Sequence, residues 1–293
     1  MTTLLITGAS GFIGRNLDEL LRCYYDVAAP ARSELDLCDE DSMCRFFEHR
    51  RFDVVLHAAT VRSIRMTGEP PNLLADNLRM FFNLARHSYS FGRMLHFGSG
   101  AEFDRGHYQP RMSEDYFGAH TPADGYGLSK YVCAKYGEAL EGVTNLRLFG
   151  VFGKYEDWRV RFISNACCRV IHGLPIVLRR DVLFDYLDVE DLAAIVRWFI
   201  EHPVPGRAYN VCTGSPVALS ALAKIVAEVS GRNPEIVVRE PGLGTEYSGD
   251  NTRLMVAMAG FRFTEMRESV ARLYAWYEAR KKEVDPTLLR FDG

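Results

Sequence analysis

Three glycines near the start of the chain restrict its fold more than any other feature of the sequence. Residues 7–14 read Thr-Gly-Ala-Ser-Gly-Phe-Ile-Gly, with an apolar run at Leu4–Ile6 before them and a helical pattern after them. In a strand–turn–helix unit, these glycines permit a tight turn, approach of the backbone to a pyrophosphate, and close packing of the helix on the strand. The unpaired N–H groups of the first helical turn also favour phosphate. The sequence therefore predicts that a dinucleotide binds at Gly8, Ser10, Gly11, Phe12, Ile13 and Gly14.

Short apolar runs alternate with helical patterns through the first half of the chain. The runs lie at Leu4–Ile6, Asp53–His57 and Met94–Phe97, and the helical patterns at residues 12–22, 41–49 and 73–87. Such runs are typical of strands that are buried on both faces of a parallel sheet by crossover helices. The sequence therefore predicts an α/β fold with a Rossmann doubly wound parallel sheet.

The second half contains helical patterns around residues 189–199, 222–229 and 266–281. Ser220 and Gly231 are expected to cap the middle helix, and residues 150–187 read as loop, helix and loop. Because no linker or internal repeat separates the halves, we expect interwoven domains. Residues 1–150, with parts of 184–212, would form the dinucleotide-binding domain, and residues 151–293 would form mainly a smaller substrate-binding domain.

Composition excludes several classes of partner. The formal net charge is -3 and 47% of the residues are hydrophobic, which gives no basic excess for nucleic acid. No apolar run approaches the ~20 residues of a membrane helix, and Met1 leads directly into a strand without the basic region of a signal peptide. The seven cysteines form no C-x-x-C pair, which is typical of thiols in a reducing cytosol. We therefore expect a cytoplasmic protein that binds neither nucleic acid nor membrane.

Two arginines bear on the choice of dinucleotide. The second strand, near Asp26–Ala31, is not followed by the acid that usually binds a free ribose 2′-hydroxyl. Instead Arg32 follows this strand, and Arg15 directly follows the last glycine of the turn. Because guanidinium groups bind phosphate bidentately, Arg15 and Arg32 favour NADP(H), with NAD(H) as the alternative.

Tyr126 and Lys130 are four residues apart, which places both on one face of a helix. A phenol is a poor acid–base catalyst at neutral pH, but a neighbouring cation favours its phenolate form. Such a tyrosine can protonate a carbonyl oxygen as hydride arrives. Tyr131 and Lys135 have the same spacing, but Tyr131 lies about 140° around the helix from Tyr126. The turn at Pro122–Gly125 favours Tyr126, since it places that residue at the start of the helix.

A hydroxyl group follows the third apolar run. Residues 97–104 read Phe-Gly-Ser-Gly-Ala-Glu-Phe-Asp, and a side chain just beyond the carboxyl end of a parallel strand faces the ligand crevice. Ser99 is therefore expected to donate a hydrogen bond to a substrate oxygen. The alternative is a turn serine that bonds its own backbone.

Together these segments resemble the extended short-chain dehydrogenase/reductase family, also described as the NAD-dependent epimerase/dehydratase family, whose members modify nucleotide-linked sugars. The resemblance covers nearly the whole chain, from the glycine turn to residues 250–254. It implies a catalytic triad of Ser99, Tyr126 and Lys130. It also implies contacts to the dinucleotide from Asp36, Leu37, Ala58, Ala59, Thr60 and Asn77.

Within this family the chain looks most like GDP-fucose synthase and dTDP-4-dehydrorhamnose reductase, which reduce a 4-keto-6-deoxy sugar with NADPH. The cysteine and histidine with which the former also epimerises correspond to Ala101 and Arg161, and this implies simple reduction. Some members carry the hydroxyl one residue later, where this chain has Gly100. Another alignment makes Glu102 the glutamate that 4,6-dehydratases use. For the substrate, the residues singled out are Glu102, Arg161, Asn165 and Arg253.

The preferred interpretation is a homodimeric enzyme that reduces a nucleotide-linked 4-keto-6-deoxy sugar at C4 with NADPH. One alternative is a redox-neutral 4-epimerase or 4,6-dehydratase with tightly bound NAD. The other is a dinucleotide-binding regulator without catalysis.

Overall fold

The chain forms two units in a computed structural model that describes residues 1–62, 68, 70–204 and 208–289. Unit 1 consists of Met1–Tyr108, Ser113–Leu148 and Ala193–Val211. Unit 2 consists of Gln109–Met112, Phe149–Leu192 and Cys212–Gly293. Each unit therefore draws on separate stretches of the sequence.

The strands of both units are short and rich in apolar residues. In chain order they are β1 Thr3–Thr7, β2 Asp26–Ala28, β3 Phe52–His57, β4 Phe91–Ser99, β5 Val143–Leu148, β6 Gly150–Phe152, β7 Ile176–Leu178, β8 Leu183–Phe184, β9 Tyr186–Asp188, β10 Ala208–Val211, β11 Val217–Ala218 and β12 Ile236–Val238.

The α-helices alternate with the strands as far as β5 and less regularly beyond it. They are α1 Phe12–Leu21, α2 Glu40–Phe47, α3 Leu73–Arg86, α4 Gly125–Gly137, α5 Phe162–Ile171, α6 Val189–Glu201, α7 Leu219–Ser230, α8 Thr252–Ala257 and α9 Met266–Ala279. Within the described part of the chain, no helix combines the length and apolar character needed to cross a bilayer.

A six-stranded parallel sheet lies at the centre of unit 1, with strand order β2-β1-β3-β4-β5-β10. The direction of strand succession changes between β1 and β3. In open α/β sheets, ligands bind beyond the carboxyl ends of the strands at such a switch point. The glycine turn follows β1 and Ala58 follows β3, so both lie at this position.

One face of the sheet is covered by α2, α3 and α4. Leu5, Val55 and Met94 from three strands share a buried cluster with Phe47 of α2 and Phe81 of α3. The strand residues that alternate with these, such as Leu4, Leu56 and Leu95, are buried as well. Burial on both faces of the sheet explains why the strands read as continuous apolar runs. The predicted Rossmann-type parallel sheet is confirmed.

Unit 2 has a separate helical core. The helices α5, α7 and α9 pack together around buried side chains that include Ile163, Val226 and Leu273. Three strand pairs complete the unit: β7 with β12 and β6 with β9 are parallel, and β8 with β11 is antiparallel. The sequence did not predict the strands between residues 150 and 187, because two- and three-residue strands are too short to show a period.

The expected caps of α7 are half correct. Gly231 ends the helix with φ 63°, the left-handed conformation that favours glycine. Ser220, however, is not the N-cap, because the helix already begins at Leu219. Its backbone N–H and its hydroxyl both donate to the carboxylate of Asp181. The cap is therefore supplied by an acid that is distant in sequence.

Candidate active site

Gly8 and Gly14 make a turn that leaves no room for side chains. Gly8 has φ 73°, and a Cβ atom there would lie 2.6 Å from the Cα atom of Ala59. A Cβ atom on Gly14 would lie 2.3 Å from the carbonyl oxygen of Gly8. The turn after β1 therefore packs directly against the backbone that follows β3, and α1 packs directly against the turn.

Gly11 lies at the N-terminus of α1 in a different environment. Its N–H donates to the carbonyl oxygen of Gly8 at 2.9 Å. Gly11 and Ser10 are exposed, and the first turn of α1 carries no acidic residue and no side-chain cap from Gly11. Free N–H groups at an exposed helix start fit a diphosphate. Phe12 and Ile13 are half-buried beside this opening.

Asn77 of α3 ties the segment after β3 to the helix α4. Its side-chain oxygen accepts from the N–H of Val61 at 2.7 Å and from the hydroxyl of Thr60 at 3.3 Å. Its side-chain nitrogen donates to the carbonyl oxygen of Val61 at 2.9 Å and to the Ser129 hydroxyl at 3.1 Å. Ala58, Ala59 and Thr60 are only half-buried, so this fixed segment still presents a surface to a ligand.

The residues expected near the adenosine lie in two environments. Arg32 is 80% exposed at its side chain, and its Nε atom lies 3.1 Å from Oδ2 of Asp36. Arg15 is also largely exposed, 3.6 Å from Glu19. Leu37, in contrast, is buried in the core under the sheet. Its carbonyl oxygen accepts from the side-chain nitrogen of Asn83 at 2.8 Å, and a contact from Leu37 to the dinucleotide stays a prediction.

The phenol of Tyr126 and the ammonium of Lys130 lie side by side near the start of α4. The Asp124 side chain begins this helix by accepting from the N–H of Gly127 at 2.8 Å. Lys130 is 6% exposed, donates to the carbonyl oxygen of Phe97 at 2.8 Å, and places its Nζ atom 6.0 Å from the centre of the Tyr126 ring. One cation is thus held by β4 beside a half-buried phenol.

The second tyrosine–lysine pair of α4 has other partners. The Tyr131 ring centre lies 5.0 Å from that of Phe117, and Lys135 is exposed and donates to Glu138 at 3.2 Å. The identical spacing of Tyr131 and Lys135 therefore does not produce a second buried pair.

Gly127 allows α4, the helix of Tyr126 and Lys130, to pack closely against the loop that carries Ser99. A Cβ atom on Gly127 would lie 2.8 Å from the carbonyl oxygen of Ala101. The first turn of α4 therefore contacts the backbone two residues after Ser99. By this contact the structure brings Ser99, Tyr126 and Lys130 into one part of unit 1.

Ser99 ends β4 and begins a short 3-10 turn. Its Oγ atom accepts from the N–H of Ala101 at 3.1 Å, and its own N–H donates to Oε1 of Glu102 at 2.9 Å. The serine does bond its own backbone, but it does so with the oxygen as acceptor. The hydroxyl proton is left to point elsewhere, so this bond is compatible with donation to a substrate. Gly100 is buried in the same turn.

Two buried histidines lie under this site, and the sequence patterns did not single them out as functional. His57 and His96 are paired in register on β3 and β4, with ring centres 5.3 Å apart. Burial, and then the charge of Lys130, lowers the pKa of His57 to about 3. The same two causes hold the pKa of His96 well below its usual range. Both rings are therefore neutral at physiological pH, so neither adds positive charge beside Lys130.

The substrate residues named from sequence do not share one environment. Glu102 has no exposed surface, and its carboxylate is paired with Arg147 at 2.7 Å. Both oxygens of this carboxylate accept hydrogen bonds from protein N–H groups. The side chain is therefore not available to bind a substrate or to act in dehydration, contrary to the expectation from sequence.

The other three substrate candidates lie in unit 2. Arg161 is exposed and precedes α5, and Arg253 is half-buried in α8. Asn165 is buried in α5 and donates to the carbonyl oxygens of Trp158 and Arg159, so it also orders the loop before its own helix.

Residues 4–212 match the family described as NAD dependent epimerase/dehydratase family. The GDP-6-deoxy-D-talose 4-dehydrogenase of Aggregatibacter actinomycetemcomitans is 24% identical over 92% of this chain and 96% of its own. The GDP-6-deoxy-D-mannose reductase of Pseudomonas aeruginosa is 27% identical over 80% of this chain and 82% of its own. A solved GDP-mannoheptose C4 reductase from Campylobacter jejuni, with NADP bound, superposes with a TM-score of 0.80 at 18% identity, over 94% of this chain and 98% of that one.

Proposed function

The chain belongs to the NAD dependent epimerase/dehydratase family, and from this premise we propose that it reduces a nucleotide-linked 4-keto-6-deoxy sugar at C4 with NADPH. The observation that carries the proposal is the buried ammonium of Lys130 beside the Tyr126 phenol, on a helix whose first turn touches the Ser99 loop. Two relatives named for 4-dehydrogenation or reduction of GDP-linked deoxy sugars support the same reaction class.

The proposed dinucleotide lies with its diphosphate over the start of α1. The exposed, uncapped helix start at Gly11 fits this group, and the segment from Ala58 to Thr60 lies beside the turn. Asn77 holds that segment in place. Arg15 and Arg32, both with exposed guanidinium groups, are proposed to select the 2′-phosphate of NADP(H). The bound NADP of the Campylobacter jejuni structure supports this preference.

The mechanism assigns one task to each polar group. A bound reduced nicotinamide supplies the hydride that reaches C4. Tyr126 donates the proton to the C4 oxygen, which becomes a hydroxyl, and Lys130 stabilises the phenolate that remains. Ser99 donates a hydrogen bond to the same oxygen and holds it in line. Arg161, Asn165 and Arg253 are proposed to bind the nucleotide diphosphate and the sugar.

The proposal is tested by a panel of GDP-, CDP-, UDP- and dTDP-linked 4-keto-6-deoxy sugars with NADPH or NADH. We expect NADPH absorbance to fall stoichiometrically with reduced sugar, fastest with a GDP-linked substrate and more slowly with NADH. Product formation without loss of NADPH, by protein that retains NAD through purification, would instead support the redox-neutral alternative. A protein that binds no nicotinamide dinucleotide would refute both.

Reduction without epimerisation is a separate prediction. Ala101 is a buried residue with a methyl side chain, and a methyl group cannot remove a proton from a sugar carbon. In D2O we expect the reduced sugar to carry no deuterium at C3 or C5, measured by NMR of the product. The same keto sugar incubated without protein corrects for spontaneous exchange. Deuterium that enters C3 or C5 only in the presence of the protein would contradict the prediction.

A further inference from the structure

The carboxylate of Glu102 is completely enclosed, yet it lies three residues from the proposed donor Ser99. Its Oε1 atom accepts from the N–H of Ser99 at 2.9 Å, and its Oε2 atom accepts from Nε of Arg147 at 2.7 Å. The side-chain nitrogen of Asn145 donates to both oxygens, at 3.2 and 2.9 Å. One buried anion thus connects the Ser99 backbone to β5.

Arg147 provides the matching cation and is equally buried. Its guanidinium carbon lies 4.7 Å from the ring centres of both Phe103 and Phe117, and its Nη1 atom donates to Asn210 at 3.2 Å. An arginine enclosed between two rings requires a fixed counter-ion, since an unpaired buried charge is strongly unfavourable. The carboxylate is therefore held in one place.

Gly98 shows how closely this carboxylate approaches the strand. A Cβ atom at Gly98 would lie 2.0 Å from Oε1 of Glu102 and 2.3 Å from Oδ1 of Asn145. The carboxylate therefore occupies the space of a side chain at the residue directly before Ser99. The Glu102 carboxylate can therefore lie here only because residue 98 is glycine.

The contact with Glu102 bears on whether the Ser99 hydroxyl donates or accepts a hydrogen bond. With its N–H held by Glu102, the serine backbone is fixed so that its Oγ atom accepts from Ala101. An oxygen that already accepts from a backbone N–H directs its own proton to another acceptor. We propose that Glu102, neutralised by Arg147, is a positioning residue that keeps the Ser99 hydroxyl as a donor to the C4 oxygen. The inference rests on the proposed function, in which Ser99 binds that oxygen.

A double-mutant cycle tests this coupling. Glu102→Gln puts an N–H donor where Arg147 and Asn145 need an acceptor, and we expect kcat to fall about 30-fold with little change in the KM for NADPH. Combined with Ser99→Ala, the same substitution is expected to change kcat by less than about twofold, because it acts through the serine. Asn210→Ala is the matched control, because it removes another hydrogen bond from the Arg147 guanidinium. We expect it to change kcat by the same factor in the wild-type protein and in Ser99→Ala.

Amide hydrogen exchange of residues 98–103 supplies a readout that needs no activity. We expect faster exchange in Glu102→Gln and in Glu102→Asp, which keeps the charge but shortens the side chain, and unchanged exchange in Asn210→Ala. If Glu102→Gln does not fold, Glu102→Asp carries both measurements. Equal losses of kcat with and without the Ser99 hydroxyl, or unchanged exchange, would overturn the inference. Altered exchange in a protein that reduces no keto sugar would overturn the proposed function and the donation from Ser99 to a C4 oxygen, and would leave only the ordering of the Ser99 turn by Glu102.

Discussion

Tyr126→Phe is expected to lower kcat about 1,000-fold and to leave the Kd for NADPH within about twofold of the wild-type value, because general acid catalysis contributes factors of this size. The phenyl ring keeps the shape of the side chain beside Lys130, so only the proton donor is lost. Stopped-flow measurement of a single turnover gives the rate of the chemical step, and fluorescence titration gives the affinity for NADPH.

Tyr131→Phe is the matched control for this prediction. It removes a phenol from the same helix with the same distance in sequence to a lysine, but Tyr131 packs against Phe117 and Lys135 is exposed. We expect kcat to stay within about twofold of wild type, as for most changes away from a reaction centre. An equal loss in both variants would show that the phenol of Tyr126 is not the proton donor.

The choice between these two tyrosines shows what sequence reasoning can decide. Identical Tyr-x-x-x-Lys spacing gave no preference, and only the expected helix start separated the pairs. In the structure the side chain of Asp124 caps that start, and burial distinguishes Lys130 from Lys135. Local patterns predicted the helix, and thus which residues share a face, whereas burial depends on the strand that packs against it.

Glu102 shows where the same reasoning fails. One alignment made Glu102 the glutamate that 4,6-dehydratases use, a group expected to face the substrate, and nothing local contradicts this. Its partners Asn145 and Arg147 come from β5, more than forty residues later, and no spacing rule links them to Glu102. Long-range ion pairs are set by strand register, so the direction of such a side chain could not be predicted from its neighbours in sequence.

The glycine turn could be predicted because most of its constraint is local. A Cβ atom on Gly14 would meet backbone atoms of the turn itself, and Gly8 has φ 73°, which favours glycine, although the atoms nearest to a Cβ on Gly8 belong to the distant Ala58 and Ala59. Spacing alone therefore predicted a geometry that the structure reproduces. Gly11 differs, since only the carbonyl oxygen of Gly8 comes near its missing side chain, at 3.3 Å. This contact is tight, but a small shift of the Gly8 carbonyl group would accommodate a methyl group, whereas the contacts below 3 Å at Gly8 and Gly14 would not.

Gly11→Ala is accordingly expected to fold normally and to bind NADPH about 50-fold more weakly, a loss of about 2.3 kcal/mol in binding free energy. Gly11 has φ -83°, which alanine adopts without strain, so the melting temperature should stay close to wild type. The added methyl group instead lies where the diphosphate must approach the helix start. Calorimetric titration with NADPH and thermal unfolding without ligand measure the two effects separately.

Gly14→Ala, three residues further along the same turn, should show the opposite order of effects. Its methyl group would meet the backbone at 2.3 Å, and overpacking of this kind lowers the free energy of unfolding by roughly 1–3 kcal/mol or more. The melting temperature should therefore fall before any ligand is added. Wild-type affinity for NADPH in Gly11→Ala would mean that no diphosphate lies over the start of α1. A Gly14→Ala protein as stable as wild type would mean that α1 does not pack on the turn as described.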